Sequence, residues 1–186
     1  MLRKIKTQAE IDKKKRRNQF FIGVIMIGLL VVSTLGYSLI SSDTNEDSKK
    51  NEFGIEFFRE NGLWIAIIDE EVFRFQNLPS EISDIDVNVS LDLEKYSGQP
   101  LYFVNPNVGA SEILNNIGSY ILRYQEACLT NESCGNDIPA KSCENNLIIF
   151  EIGNETKVYQ NESCIFIVGD GIKGADAFLY KVLGVN

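Results

Sequence analysis

Histidine does not occur anywhere in the 186 residues. Its absence removes Ser-His-Asp and Cys-His nucleophile systems, HExxH zinc sites and imidazole general bases together. Carboxylate or Ser-Lys chemistry would remain. Yet Asp170 does not stand in an Asp-Thr-Gly or Asp-Ser-Gly turn, and Lys141 and Ser142 are neighbours without the S-x-x-K spacing of serine acyl-transferases. No C-x-x-C pair is present either. Five, eight and twenty residues separate the four cysteines, a spacing that disfavours a redox dithiol and paired zinc knuckles. The sequence therefore reads as non-catalytic, with no cofactor and no metal.

Charge is missing from one long stretch, Phe20 to Ile40, FFIGVIMIGLLVVSTLGYSLI. At about 1.5 Å per helical residue it is long enough to cross a bilayer core, and it predicts a transmembrane helix over residues 19–41. Residues 1–18 hold eight of the 18 cations and two of the 26 acids, so the remainder of the chain carries ten cations against 24 acids, a net −14. This asymmetry places the basic tail in the cytoplasm and the C-terminal part outside. A cleaved signal peptide fits less well. The apolar run exceeds the usual core of about 7 to 15 residues, and the small-residue site Thr34-Leu35-Gly36 falls inside it. Arg16-Arg17 lies in KKRRNQFF, which lacks a twin-arginine context.

The expected partners follow from these charges. Clustered cations in the tail favour anionic lipid by on the order of 1 kcal/mol each. Nucleic acid is excluded as a partner: the tail has no aromatic interleaving, and the protein is acidic, with a pI near 4.7. Gly23, Gly28 and Gly36 are not four apart, so the close-packing helix-dimer motif is missing, and the span holds no acidic or basic side chain to relay protons.

Residues 42–52 are polar and carry both signs of charge, reading as a flexible linker to a domain over 53–186. That domain opens on EFGIEFFRE, Asn61-Gly62 and LWIAII. Asn-Gly supplies the two positive φ values of a type I′ turn between β-formers. A two-residue turn sets Glu60 against Leu63 and Phe58 against Ile65, with Phe57, Trp64 and Ala66 on the other face. A third strand is expected over Val72 to Gln76. From Asp84 to Glu94 the sequence alternates strictly, predicting one strand with Ile85, Val87, Val89, Leu91 and Leu93 inward and the acids outward. Those acids diverge along a line, whereas calcium needs oxygens converging on a point, so the row reads as a solvated face. Leu101 to Val104 reads as a buried strand. A helix follows over Ala110 to Ala127, with Gly109 as N-cap and Ile113, Leu114, Ile117, Ile121, Tyr124 and Cys128 at helical spacing. With Leu147 to Ile152 these form a crossover unit.

Export favours disulfides, and among the three connectivities that four cysteines allow, the preferred pairing is Cys128 with Cys134 and Cys143 with Cys164. Four glycosylation sequons begin at Asn88, Asn131, Asn154 and Asn161, all beyond the span. Gly169-Asp170-Gly171-Ile172-Lys173-Gly174 is a literal G-x-G-x-x-G between a strand and the expected helix Ala175 to Leu183. The chain as given has no returning strand and no acid about twenty residues on, so the motif reads as a glycine turn into a terminal helix. On that helix Phe178, Leu179, Val182 and Leu183 pack inward, Asp176 and Lys181 match the dipole, and Gly184 ends it.

The run Cys128, Cys134, Pro139-Ala140-Lys141-Ser142-Cys143, then Cys164 and Asp176-Ala-Phe-Leu-Tyr180 with Leu183-Gly184, resembles uncharacterised small single-pass membrane proteins of archaea. The resemblance implies an anchored outer domain and adds no site. The expectation is an α+β protein: an N-terminal transmembrane helix, then an extracytoplasmic mixed-sheet domain with an antiparallel N-terminal meander and two helices. Its expected role is an interaction module, an accessory subunit binding an unidentified membrane or envelope protein. The alternative is a domain that binds a ligand or glycan, with an extracytoplasmic hydrolase ranked third.

Overall fold

The computed structural model of the chain describes residues 19–31, 49–130, 134–135 and 137–185, in two compact units divided between residues 48 and 49. In the first unit, residues 19–31 form helix α1, with its apolar side chains exposed. Among the described residues no helix is long and apolar enough to cross a membrane. The basic tail 1–18 and the rest of the expected span, 32–41, lie outside the described residues.

The second unit begins with a four-stranded antiparallel meander, β1 (Lys49–Glu52), β2 (Ile55–Glu60), β3 (Leu63–Ile68) and β4 (Glu71–Phe75), paired in chain order. The Asn61-Gly62 hairpin forms as its sequence requires, with φ of 52° and 85° at the turn and Glu60 opposite Leu63 and Phe58 opposite Ile65. Its neighbours repeat the device with other residues, Phe53-Gly54 between β1 and β2 and Asp69-Glu70 between β3 and β4, all at positive φ. Strand β1 comes from the stretch read as linker, four of whose residues pair with β2. One face of the meander is a row of apolar side chains, Phe57, Trp64, Ala66, Phe73 and Phe75, all buried.

The rest of the unit is a six-stranded mixed sheet containing β5 (Asp86–Asn88), β6 (Pro100–Val104), β7 (Arg123–Glu126), β10 (Leu147–Glu151), β11 (Lys157–Asn161) and β12 (Cys164–Val168). The order across it is β5-β11-β12-β10-β6-β7. Strands β12, β10, β6 and β7 are mutually parallel, and β11 with β5 runs the other way. Two-residue strands β8 (Cys128–Leu129) and β9 (Ala140–Lys141) pair apart from it. Helices α2 (Val108–Ile117) and α3 (Gly171–Val182) pack together between the meander and this sheet. Leu101, Phe103, Ile148, Phe150, Val158, Ile165 and Ile167 line the helix face. Tyr102, Val104, Leu147, Ile149 and Cys164 line the opposite face, under the segment that carries the disulfides.

Four expectations need correction. The alternating run Asp84 to Glu94 is not one strand. Only Asp86–Asn88 pairs, and Leu93–Tyr96 turns into a 3-10 helix because the Asp92 carboxylate accepts from the Lys95 amide and caps it. The in-and-out burial still holds through Leu93. The long helix Ala110 to Ala127 ends at Ile117, and residues 123–126 become β7 instead. The N-cap of α2 is Asn107, whose side chain accepts from the Gly109 amide, not Gly109 itself. Helix α3 starts four residues early, at Gly171, with Asp170 as its cap.

Candidate functional site

The G-x-G-x-x-G stretch is closed to an anion by its own sequence. The Asp170 carboxylate accepts hydrogen bonds from the amides of Ile172 and Lys173, at 3.0 and 3.1 Å, filling the helix N-terminus where a phosphate would sit. The glycines serve packing. A Cβ on Gly171 would press on the Asn107 side chain, and one on Gly109 would strike the Gly171 carbonyl, so the two helix starts touch backbone to backbone.

Between the meander and the helices lies a polar seam that the sequence reading missed. Asp176 is fully buried and faces away from solvent. Its Oδ2 accepts from the amides of Gln76 and Asn77 and from the Asn77 side chain, at 2.8 to 3.1 Å, while Oδ1 has no partner. Burial pushes this carboxyl up to about 7, the hydrogen bonds from Asn77 and Gln76 oppose the rise, and the nearby Glu112 carboxylate adds to it. Gln76 Nε2 donates to Glu112, Asn116 bonds both backbone groups of Arg74, and the Tyr180 hydroxyl donates to the Asn77 carbonyl at 2.7 Å. These bonds fix the end of β4 to both helices. Two carboxylates so enclosed join layers; they do not converge on an open cleft.

The opposite face of the large sheet is different in kind. Disulfides Cys128–Cys134 and Cys143–Cys164, with Cα separations of 5.9 and 4.9 Å, are the expected pairs, and they fit an oxidising compartment. The second ties the segment before β10 to β12. Tyr102 lies under this region with its ring beneath the Lys141 ammonium, 4.5 Å from the centroid, and with Arg123 Nη2 3.5 Å from its hydroxyl. Burial would raise the Tyr102 hydroxyl, but hydrogen bonding to Arg123 and Lys141 and their positive charge carry it below the ordinary tyrosine value. Neither cation is ion-paired to a described carboxylate. Beside Tyr102, at the amino ends of β6 and β10, opens a polar cleft of about 360 Å³ walled by Glu94, Ser97, Gln99, Glu144 and Asn145.

Strand β7 bounds the same face as the outer strand of the sheet, with all four residues exposed. Register pairs Leu101 with Tyr124 and Tyr102 with Gln125. Arg123 and Gln125 therefore stand on the disulfide face and Tyr124 on the helix face. The Leu122 amide bonds inward to the Gln99 carbonyl, so the alternation turns the backbone groups of Arg123 and Gln125 to the open side. Leu122 and Tyr124 are 70 and 62 % exposed. An apolar pair on an edge that no further strand joins among the described residues is unusual for a free-standing sheet.

The sequon residues Asn88, Asn154 and Asn161 are exposed, and Asn131 lies outside the described residues. Among the described residues no three Cys, Asp or Glu side chains are placed to hold a metal ion. Comparison with family models, curated proteins and solved structures finds no match, so the functional reading rests on this geometry alone.

Proposed function

We propose that the chain is a single-pass, membrane-anchored protein whose outer α+β domain is a non-catalytic interaction module, an accessory subunit of an envelope or membrane complex. The anchor is read from the uncharged run 20–40 and its basic flank, and two disulfides accord with an outer domain. The observation that carries the interaction reading is β7: an exposed sheet edge with open backbone groups, lined by Leu122 and Tyr124 beside the cysteine segment. Such an edge accepts an extended segment of a partner protein as a seventh strand. Main-chain hydrogen bonds supply affinity, and apolar side chains over Leu122 and Tyr124 supply selectivity.

A photo-activated cross-linker at Gln125 in native membranes tests this, with the same group at Asn88 on the far edge as control. One discrete protein partner captured at Gln125, absent at Asn88 and lost on Tyr124→Asp, is the expected outcome. Identical patterns from both edges, or capture that survives Tyr124→Asp, refute it. A second reading, ligand or glycan binding, is favoured by the polar cleft beside Tyr102.

A further inference from the structure

On the disulfide face of the large sheet two aromatic rings begin a stack. Tyr159 on β11 and Phe166 on β12 are register partners, and their rings lie 4.8 Å apart and 1° from parallel. That separation matches the spacing of neighbouring strands, about 4.8 Å, so the rings stack along the hydrogen-bonding direction of the sheet, one ring per strand. Phe166 packs against the layer of Tyr102, Leu147 and Cys164, and the far side of the Tyr159 ring turns to β5. The residue paired with Tyr159 on β5 is Asn88, which is exposed and opens the sequon Asn88-Val89-Ser90. Strand β5 is outermost, so among the described residues no further strand crowds Asn88. Of the sequon asparagines described, Asn88 alone has a ring as its cross-strand neighbour. Asn161 pairs with Cys164, and Asn154 lies in the connection between β10 and β11.

We infer that Asn88 carries an N-linked saccharide whose first sugar lies on the open face of Tyr159 as the third member of this stack. A pyranose presents a flat side of C–H groups, which the negative face of a phenol ring attracts. The linkage leaves from the strand beside the ring, so the sugar reaches it without ordering a loop. Lys157 holds its ammonium 5.7 Å from the Tyr159 centroid; this exposed, weak contact gives way to the sugar or donates to its hydroxyls. In the transfer, Asn88 Nδ2 bonds to the anomeric carbon of a lipid-linked oligosaccharide phosphate. The bond from that carbon to the phosphate oxygen breaks, Nδ2 gives up one proton, and the lipid phosphate leaves, under a membrane oligosaccharide transferase. Ser90 is bonded through amide and hydroxyl to Gln160 in the fold, so transfer precedes the closing of β5 on β11. The paired strand β5 is only three residues long, and a sugar resting on Tyr159 fastens it to β11. The inference rests on the reading of the domain as exported and is independent of whether a protein strand adds to β7.

Mass spectrometry of intact glycopeptides, from the full chain purified out of its native membranes, reads each sequon separately. Occupancy of Asn88 is expected. A bare Asn88 overturns the proposal and leaves export standing if the domain is cut by protease added outside intact cells; a domain sheltered from that protease fails the export reading as well. Thermal unfolding in micelles, followed by Trp64, reads the contact. Asn88→Gln removes the sugar, keeps an amide and should lower the midpoint by roughly 3 °C. In a Tyr159→Leu background, which retains the sequon, the same change should lower it by under about 1 °C. Equal shifts in both backgrounds, or none in either, overturn the stacking. In the native glycoprotein, C–H resonances of the first sugar should be moved upfield by the Tyr159 ring, and unshifted resonances overturn the contact whatever the variants do. Replacing Asn88 also removes the sugar, so the cross-linking control above samples a bare β5 edge and is the more stringent for it.

Discussion

Replacing Asp176 with Asn probes the polar seam through its dependence on pH. Asp176 is protonated in the fold up to about pH 7, whereas in the unfolded chain it ionises near its ordinary value of 3.8. Between those limits the folded chain holds a proton that the unfolded chain has lost, so this group's contribution is complete below about pH 4 and is lost as pH rises through 7. At 1.36 kcal/mol per pH unit the whole interval corresponds to roughly 4 kcal/mol, of which roughly 3 falls between pH 5 and pH 8. Asparagine presents an oxygen to the same three donors and an amide where Oδ1 now has no partner, and it does not titrate. Urea denaturation of the full chain in micelles can be followed by Trp64, the single tryptophan, which is buried in the meander. The stability of the native protein relative to Asp176→Asn should fall by roughly 3 kcal/mol from pH 5 to pH 8. A difference that is flat across that range would show that Asp176 is ionised in the fold, and the account of the seam would fail.

Two further outcomes follow from the same structure. Asn116→Ala leaves both backbone groups of Arg74 without their partner and should cost roughly 2 to 4 kcal/mol in the same denaturation assay, where a surface Asn145→Ala should cost under about 0.5. Replacing Cys143 and Cys164 together with alanine should lower stability by roughly 3 kcal/mol, and the pair Cys128 and Cys134 by roughly 2, because the loops closed differ in length, 21 against 6 residues apart.

Much of the fold was legible wherever local chemistry decides. Asn61-Gly62 specified its turn and register, and the apolar rows of β10 and β12 specified buried strands. The alternation from Ile85 to Leu93 correctly divided inside from outside, although it misstated the backbone, since burial on a packed surface asks only for a period of two and not for a pairing strand. Residues 118–128 misled because Ile121, Tyr124 and Cys128 recur at helical spacing. Tyr124 is instead exposed on an edge strand, and no property of the sequence announces that this segment pairs with β6 as the outermost strand. Asp176 was read only as a partner of the helix dipole because the donors it binds, on Gln76 and Asn77, lie about a hundred residues earlier. The cluster at Tyr102 was invisible for the same reason: its three members come from β6, β7 and β9.

The order of the large sheet bears on how the molecule is made. Its centre is β12 and β10, contributed by the last forty residues, while the earlier β6 and β7 wait at one side. The meander, complete by Phe75, has Phe57 and Phe75 resting on Tyr180 and its end held by Asp176. A chain that emerges from its N-terminus must therefore hold an uncovered aromatic face until α3 has been made. A nascent chain stalled before Asp176 would leave the aromatic face of the meander open to water, the kind of surface through which partly folded chains aggregate.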